Sequence, residues 1–148
     1  MKIAVSACLL GIPCRYDHKG CYDKKVAALQ EQHELVPVCP EMLANLGTPR
    51  DPCELVSGQV ITKQGKDITN QLNQGLDEAM KMIEEQGCKL AVLQQRSPTC
   101  GCGLIYDGTF SSKLIPGNGL LTQQLLKRNI PVVSNEEFAV KLLADMEK

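Results

Sequence analysis

Three of the chain's short apolar runs lead to a cysteine: "KIAVSAC" ends in Cys8, "ELVPVC" in Cys39 and "KLAVLQQRSPTC" in Cys100. Runs of Val, Ile and Leu with little polar alternation mark strands buried on both faces, which are parallel strands covered by helices. Four segments fit: Lys2 to Val5, Leu35 to Val38, Leu90 to Leu93 and Pro131 to Val133. Between them Ile68, Leu72, Leu76, Met80 and Ile83 recur at near-helical spacing, and the pattern stops at Gly87, a residue suited to a left-handed cap. The closing stretch "SNEEFAVKLLADMEK" predicts a last helix, with Ser134 and Glu137 as a capping box and Phe138, Leu142 and Met146 as its apolar stripe. Strands alternating with helices predict an α/β fold, an open and mainly parallel sheet flanked by helices. Right-handed crossovers gather the carboxyl ends of such strands on one edge, where ligands bind.

Two stretches carry turn signals between β-formers, "SGQVITKQGKD" and "GLIYDGTFSS", and each predicts a small hairpin lying over the sheet. No Pro/Gly/Ser-rich or like-charge run divides the 148 residues, so residues 1–148 are expected to form one domain. The opening "MKIAVSACLL" breaks at Gly11 and Pro13, too short for a membrane span and without a cleavage site. A cytoplasmic protein with no membrane partner is expected. In that reducing compartment eight cysteines point to metal binding or thiol chemistry rather than to disulfides. A net charge of −1 with scattered cations, three tyrosines, two phenylalanines and no tryptophan supply neither a basic stripe nor stacking platforms. The partner expected is a small molecule, not a nucleic acid.

If the strands are parallel and adjacent, Cys8, Cys39 and Cys100 meet at one rim. A lone cysteine is as readily a small buried hydrophobe, but three strand ends each delivering a thiol weigh against that. Soft thiolates without a matching set of histidines favour an iron-sulfur cluster or zinc. Cys102, in "TCGC", is either a fourth ligand or a neighbour, while Cys14, Cys21, Cys53 and Cys88 read as ordinary thiols. His18 and His33 read as surface residues and Asp51 as a solvated loop charge. Cys8 and Arg15 in "SACLLGIPCRYD" also suggest a thiol phosphatase or arsenate reductase, in which backbone amides and a guanidinium wrap an oxyanion. Six residues separate the pair, and Cys14 stands where that loop would need its arginine. A non-catalytic zinc or cluster-binding module is the third possibility.

"VSACLLGIPCRYD", "VPVCPE" followed by "TPRDPCEL", "SPTCGCGLIYDGTF" and "GNGLLTQQLLKRNIPVVSNEE", in this order, resemble the thiouracil desulfidase family over nearly the whole chain. The resemblance implies a Rossmann-like α/β domain in which Cys8, Cys39 and Cys100 hold a 4Fe-4S cluster, its fourth iron open to the sulfur of a thiolated pyrimidine. It also implies a catalytic glutamate two residues after the second ligand and a serine three residues before the third, Glu41 and Ser97. Two positions depart from the family pattern: "ANL" replaces a glycine pair after "CPE", and His18 replaces the glycine after "CRYD".

A thiocarbonyl sulfur is soft and suits an unligated iron, which would draw electrons from the attached carbon and invite water. Glu41 would then serve as general base. Following Pro40, it also reads as an acid favourable to a helix N-terminus, but its place two residues from a proposed ligand favours the base. Ser97 precedes Pro98 and doubles as a turn residue. The expected reaction is hydrolytic removal of sulfur from a 2- or 4-thiouracil type of substrate, giving uracil and sulfide.

Overall fold

The computed structural model describes residues 2–12, 22–46, 52–94 and 97–135. Its main sheet has four parallel strands in the order β2 (Glu34–Val38), β1 (Lys2–Ser6), β5 (Leu90–Leu93) and β8 (Val132–Ser134). The four expected apolar runs are these four strands, each matching to within a residue or so. β5, Leu-Ala-Val-Leu, is buried at every position, as an inner parallel strand must be. β2 lies at an edge and carries Pro37, which has no N–H to offer a further strand.

Alternation along the strands sorts the core onto two faces. Ala4, Ala91 and Leu93 face one side, Ile3, Val5, Leu90 and Val92 the other. The first side is covered by α3 (Thr69–Gln86) and α4 (Leu120–Lys127), whose Leu72, Leu76, Ile83, Leu121 and Leu125 are buried among the strand residues. Burying each such side chain is worth about 1.5–3 kcal/mol, so these two helices fix the sheet's position. The second side packs Leu9 and Val26, the latter from α1 (Lys24–Ala27). α3 ends at Gly87 with φ 70°, the stop read from the sequence. Ser134 closes β8, and the helix expected after it lies outside the described residues from 136 onward.

Both hairpins are present but displaced from the quoted stretches. β3 (Cys53–Val56) pairs antiparallel with β4 (Gln59–Thr62). Their two-residue connection, Ser57-Gly58, has φ of 51° and 82°, the positive pair that matches strand twist. "SG" is therefore the turn itself, and the first strand precedes it. Likewise β6 (Leu104–Tyr106) pairs with β7 (Leu114–Pro116), which begins after "GLIYDGTFSS" has ended. Val60 of β4 is buried in the cluster that holds Ile68 and Leu72, and its N–H donates to Thr69 Oγ1 at 2.8 Å, tying the first hairpin to the start of α3.

β1, β2 and β5 are neighbours running the same way, so their carboxyl ends lie on one edge. From β1 the chain goes to β2 on one side and later returns to β5 on the other. The carboxyl edge between β1 and β5 is thus the point where strand order reverses, the crevice that open α/β sheets use for ligands.

Candidate active site

The reversal point is closed by one polar clip. Gln94, the residue after β5, donates its backbone N–H to Ser6 Oγ at 2.8 Å, and Ser6 is buried at the end of β1. Cys8 follows in a turn of 3-10 helix, Ala7–Leu10, and is buried, with its Sγ donating to Gln94 Oε1 at 4.0 Å. Cys39 comes directly after β2 and is half-buried at the N-cap of α2 (Pro40–Leu43). Cys100 is buried in the turn that leaves β5. All three sit beyond the carboxyl ends of three adjacent strands, and all three are thiols rather than disulfides. Among the described residues, no three Cys, His, Asp or Glu side chains are grouped so as to hold a single metal ion.

The turn carrying Cys100 is built by its own side chains. Ser97 Oγ accepts from the N–H of Thr99 at 3.1 Å and of Cys100 at 3.2 Å, and Gly101 N–H donates back to the Ser97 carbonyl at 2.8 Å. The start of α4 holds this turn from behind. Leu120 N–H donates to the Pro98 carbonyl, Leu121 N–H to the Thr99 carbonyl at 2.7 Å, and the buried Thr122 hydroxyl to the Cys100 carbonyl at 2.9 Å. The first two of these bonds use helix N–H groups that have no partner inside the helix. The approach needs Gly119, because a Cβ there would lie 2.5 Å from the Thr99 carbonyl atoms.

Glu41 sits in the first turn of α2, behind Pro40 at the helix start, and is half-buried. Its Oε1 accepts from Thr99 Oγ1 at 3.0 Å. One hydroxyl thus joins the segment after β2 to the turn after β5. The structure brings Glu41, Ser97 and Cys100 into one hydrogen-bonded group through Thr99. Neither Thr99 nor Gln94 was singled out in the sequence. Thr99 looks there like any small polar residue of a Pro-containing turn, and only the contact with Glu41, 58 positions away, reveals it.

Cys102 is half-buried and donates its Sγ to the Val132 carbonyl of β8 at 3.6 Å, a contact with the neighbouring strand. Cys88 lies just before β5, at the opposite edge of the sheet, and burial pushes its thiol above the usual range. Cys14, Cys21, Arg15, His18 and Asp51 lie outside the described residues.

A family model for 2-thiouracil desulfurase matches residues 3–137. The chain belongs to the 2-thiouracil desulfurase family. A curated relative of similar length, the uncharacterized protein YbbK of Bacillus subtilis (strain 168), is 34% identical over 146 residues, covering 92% of this chain and 97% of its own. Among solved structures, the 4Fe-4S-dependent thiouracil desulfidase TudS matches with a TM-score of 0.90 at 36% identity, over 99% of each chain. The two chains share one fold, and in this one Cys8, Cys39 and Cys100 follow three neighbouring parallel strands. Among the described residues no helix is long and apolar enough to cross a membrane.

Proposed function

We propose that this chain, as one domain over residues 1–148, removes sulfur hydrolytically from a thiolated pyrimidine of the 2- or 4-thiouracil type, releasing uracil and sulfide. Cys8, Cys39 and Cys100 would hold a four-iron, four-sulfur cluster and leave its fourth iron open to the substrate. When bound, such a cluster supplies a soft Lewis acid for a thiocarbonyl sulfur. The donor set suits it: three thiols, the ligands that iron-sulfur clusters take, delivered to one edge of the sheet. A four-iron cluster presents several metal atoms, so its thiolates need not converge on one point as ligands of a single ion must.

The protein's own groups then manage water and protons. Glu41, half-buried and anchored through Oε1, accepts the proton of the attacking water. Ser97 Oγ accepts two backbone N–H bonds, and its own hydroxyl proton is left to orient the substrate or relay a proton. Water oxygen replaces sulfur on the ring carbon: a C=S bond is exchanged for C=O, both protons leave with sulfide, and the carbon keeps its oxidation state. No electron donor is consumed.

The observation that carries this reading is the placement of three thiols beyond three adjacent parallel strand ends, beside a hydrogen-bonded Glu41, in a chain of the desulfurase family. The family match does not favour the phosphatase reading, whose Arg15 lies outside the described residues. The test is anaerobic cluster reconstitution followed by sulfide release from 2-thiouracil and 4-thiouracil, for the wild type and Glu41→Gln. A brown, iron-loaded protein that turns over is expected, with Glu41→Gln slower by about 10²–10⁴ at an unchanged cluster spectrum. Full activity in colourless, metal-free protein would overturn the cluster's part. A Glu41→Gln variant of normal rate would overturn the base.

A further inference from the structure

Thr99 is 1% exposed, yet its hydroxyl is spent on a side chain from another strand end rather than on its own turn. Its backbone is held on both sides. The N–H donates to Ser97 Oγ at 3.1 Å, and the carbonyl accepts from Leu121 N–H at 2.7 Å. Gly119 packs against that carbonyl with no room for a Cβ. A β-branched side chain on so constrained a backbone has little rotamer freedom, so the hydroxyl stays where the fold puts it. Glu41, by contrast, is a long flexible side chain on a helix of four residues. Left alone, its carboxylate would sample several positions, and ordering it costs entropy.

We propose that Thr99 is a positioning residue for Glu41: its buried hydroxyl fixes the carboxylate at the carboxyl edge of the sheet, next to Cys100, and so sets the geometry from which a proton is taken. The inference rests on the reading of Glu41 as general base. It adds that the base is held from the turn of the third thiol. A hydrogen bond from a neutral hydroxyl to a carboxylate is charge-assisted, and in this partly buried setting it favours one orientation. Misplacement of a catalytic group by about 1 Å can cost a factor of about 10² in rate, which sets the scale of the effect.

Three variants test this in the iron-reconstituted protein: Thr99→Val, which keeps the shape and removes the donor, Thr99→Ser, which keeps the donor, and Glu41→Gln. Thr99→Ala, smaller than the native residue, takes the place of Thr99→Val if the latter does not fold. With iron content equal to wild type, the hydroxyl-free variant is expected to lose about 10- to 100-fold in kcat with KM little changed. Thr99→Ser should recover most of the loss. Placed in the Glu41→Gln background, Thr99→Val should change kcat by no more than about two-fold, since the two act as a unit. In the metal-free protein, urea midpoints of Thr99→Val, Glu41→Ala and the double variant should be non-additive.

Thr99→Val at wild-type kcat, Thr99→Ser as slow as Thr99→Val, or additive losses with Glu41→Gln would each overturn the inference while leaving the base in place. A normal rate in Glu41→Gln would instead remove the base itself, and Thr99's role with it.

Discussion

Gly75, in the middle of α3, lies against the Pro40 carbonyl oxygen so closely that a Cβ on Gly75 would sit 2.0 Å from it. The same Cβ would meet the Ala44 N at 2.7 Å. The bare backbone of one helix is therefore the floor on which the short helix of Glu41 rests. Gln71, one turn earlier, adds a hydrogen bond from its Nε2 to the Ala44 carbonyl at 3.0 Å. A helix of four residues has no stability of its own, and α2 takes its position from this contact.

Gly75→Ala should therefore act on the site and not only on the fold. In an exposed helix the change would stabilise by up to about 1 kcal/mol. Here it forces backbone apart, and overpacking of this kind costs about 1–3 kcal/mol. Urea unfolding should show lower stability, and turnover should fall in the protein that remains folded. A variant as stable and as active as wild type would mean that α2 is not held by this contact.

The thiols should divide by position. Serine at Cys8, Cys39 or Cys100 is expected to abolish iron retention after anaerobic reconstitution. Cys102→Ser should retain iron, since its Sγ is engaged with the Val132 carbonyl of β8. Iron per protein and the visible spectrum measure this directly. Equal loss in Cys102→Ser would indicate a four-thiolate site with no open iron.

Cys88 offers a check on the fold away from the site. It is 5% exposed, and burial raises its pKa, with Lys2 pulling it back and Glu34 adding to the rise. Alkylation depends on the thiolate, so iodoacetamide should modify Cys88 slowly at neutral pH in native protein and rapidly after unfolding. The folded pKa lies above the unfolded one, so the folded state holds this proton more tightly. Its stabilising contribution is complete below the ordinary thiol pKa and fades as pH rises through the folded value. Peptide mapping of protein alkylated across that pH range should show Cys88 reacting later than an exposed thiol; equal rates would contradict its placement in the core.

The sheet was legible because buried parallel strands announce themselves as unbroken apolar runs, and Leu90–Leu93 could hardly be anything else. The helix after Ile68 was legible from its spacing and its glycine stop. The hairpins were misplaced because "SG" reads as loop until the positive φ of Ser57 and Gly58 shows a two-residue turn, with Cys53–Val56 as the strand before it. Cys8, Cys39 and Cys100 stood out as strand-end residues. Thr99 and Gly75 did not, because each matters through a residue distant in sequence. Nothing local in "SPTCG" speaks of Glu41, and a glycine within a helical pattern reads only as a weakness in it.

The measurement that bears most directly on the proposed chemistry is turnover of a thiouracil by the iron-loaded protein in oxygen-18 water, under anaerobic conditions and without any reductant. Hydrolysis requires the uracil to carry one solvent oxygen at the former sulfur position and one sulfide to appear for each uracil formed. Unlabelled uracil, or a strict need for an electron donor, would contradict it.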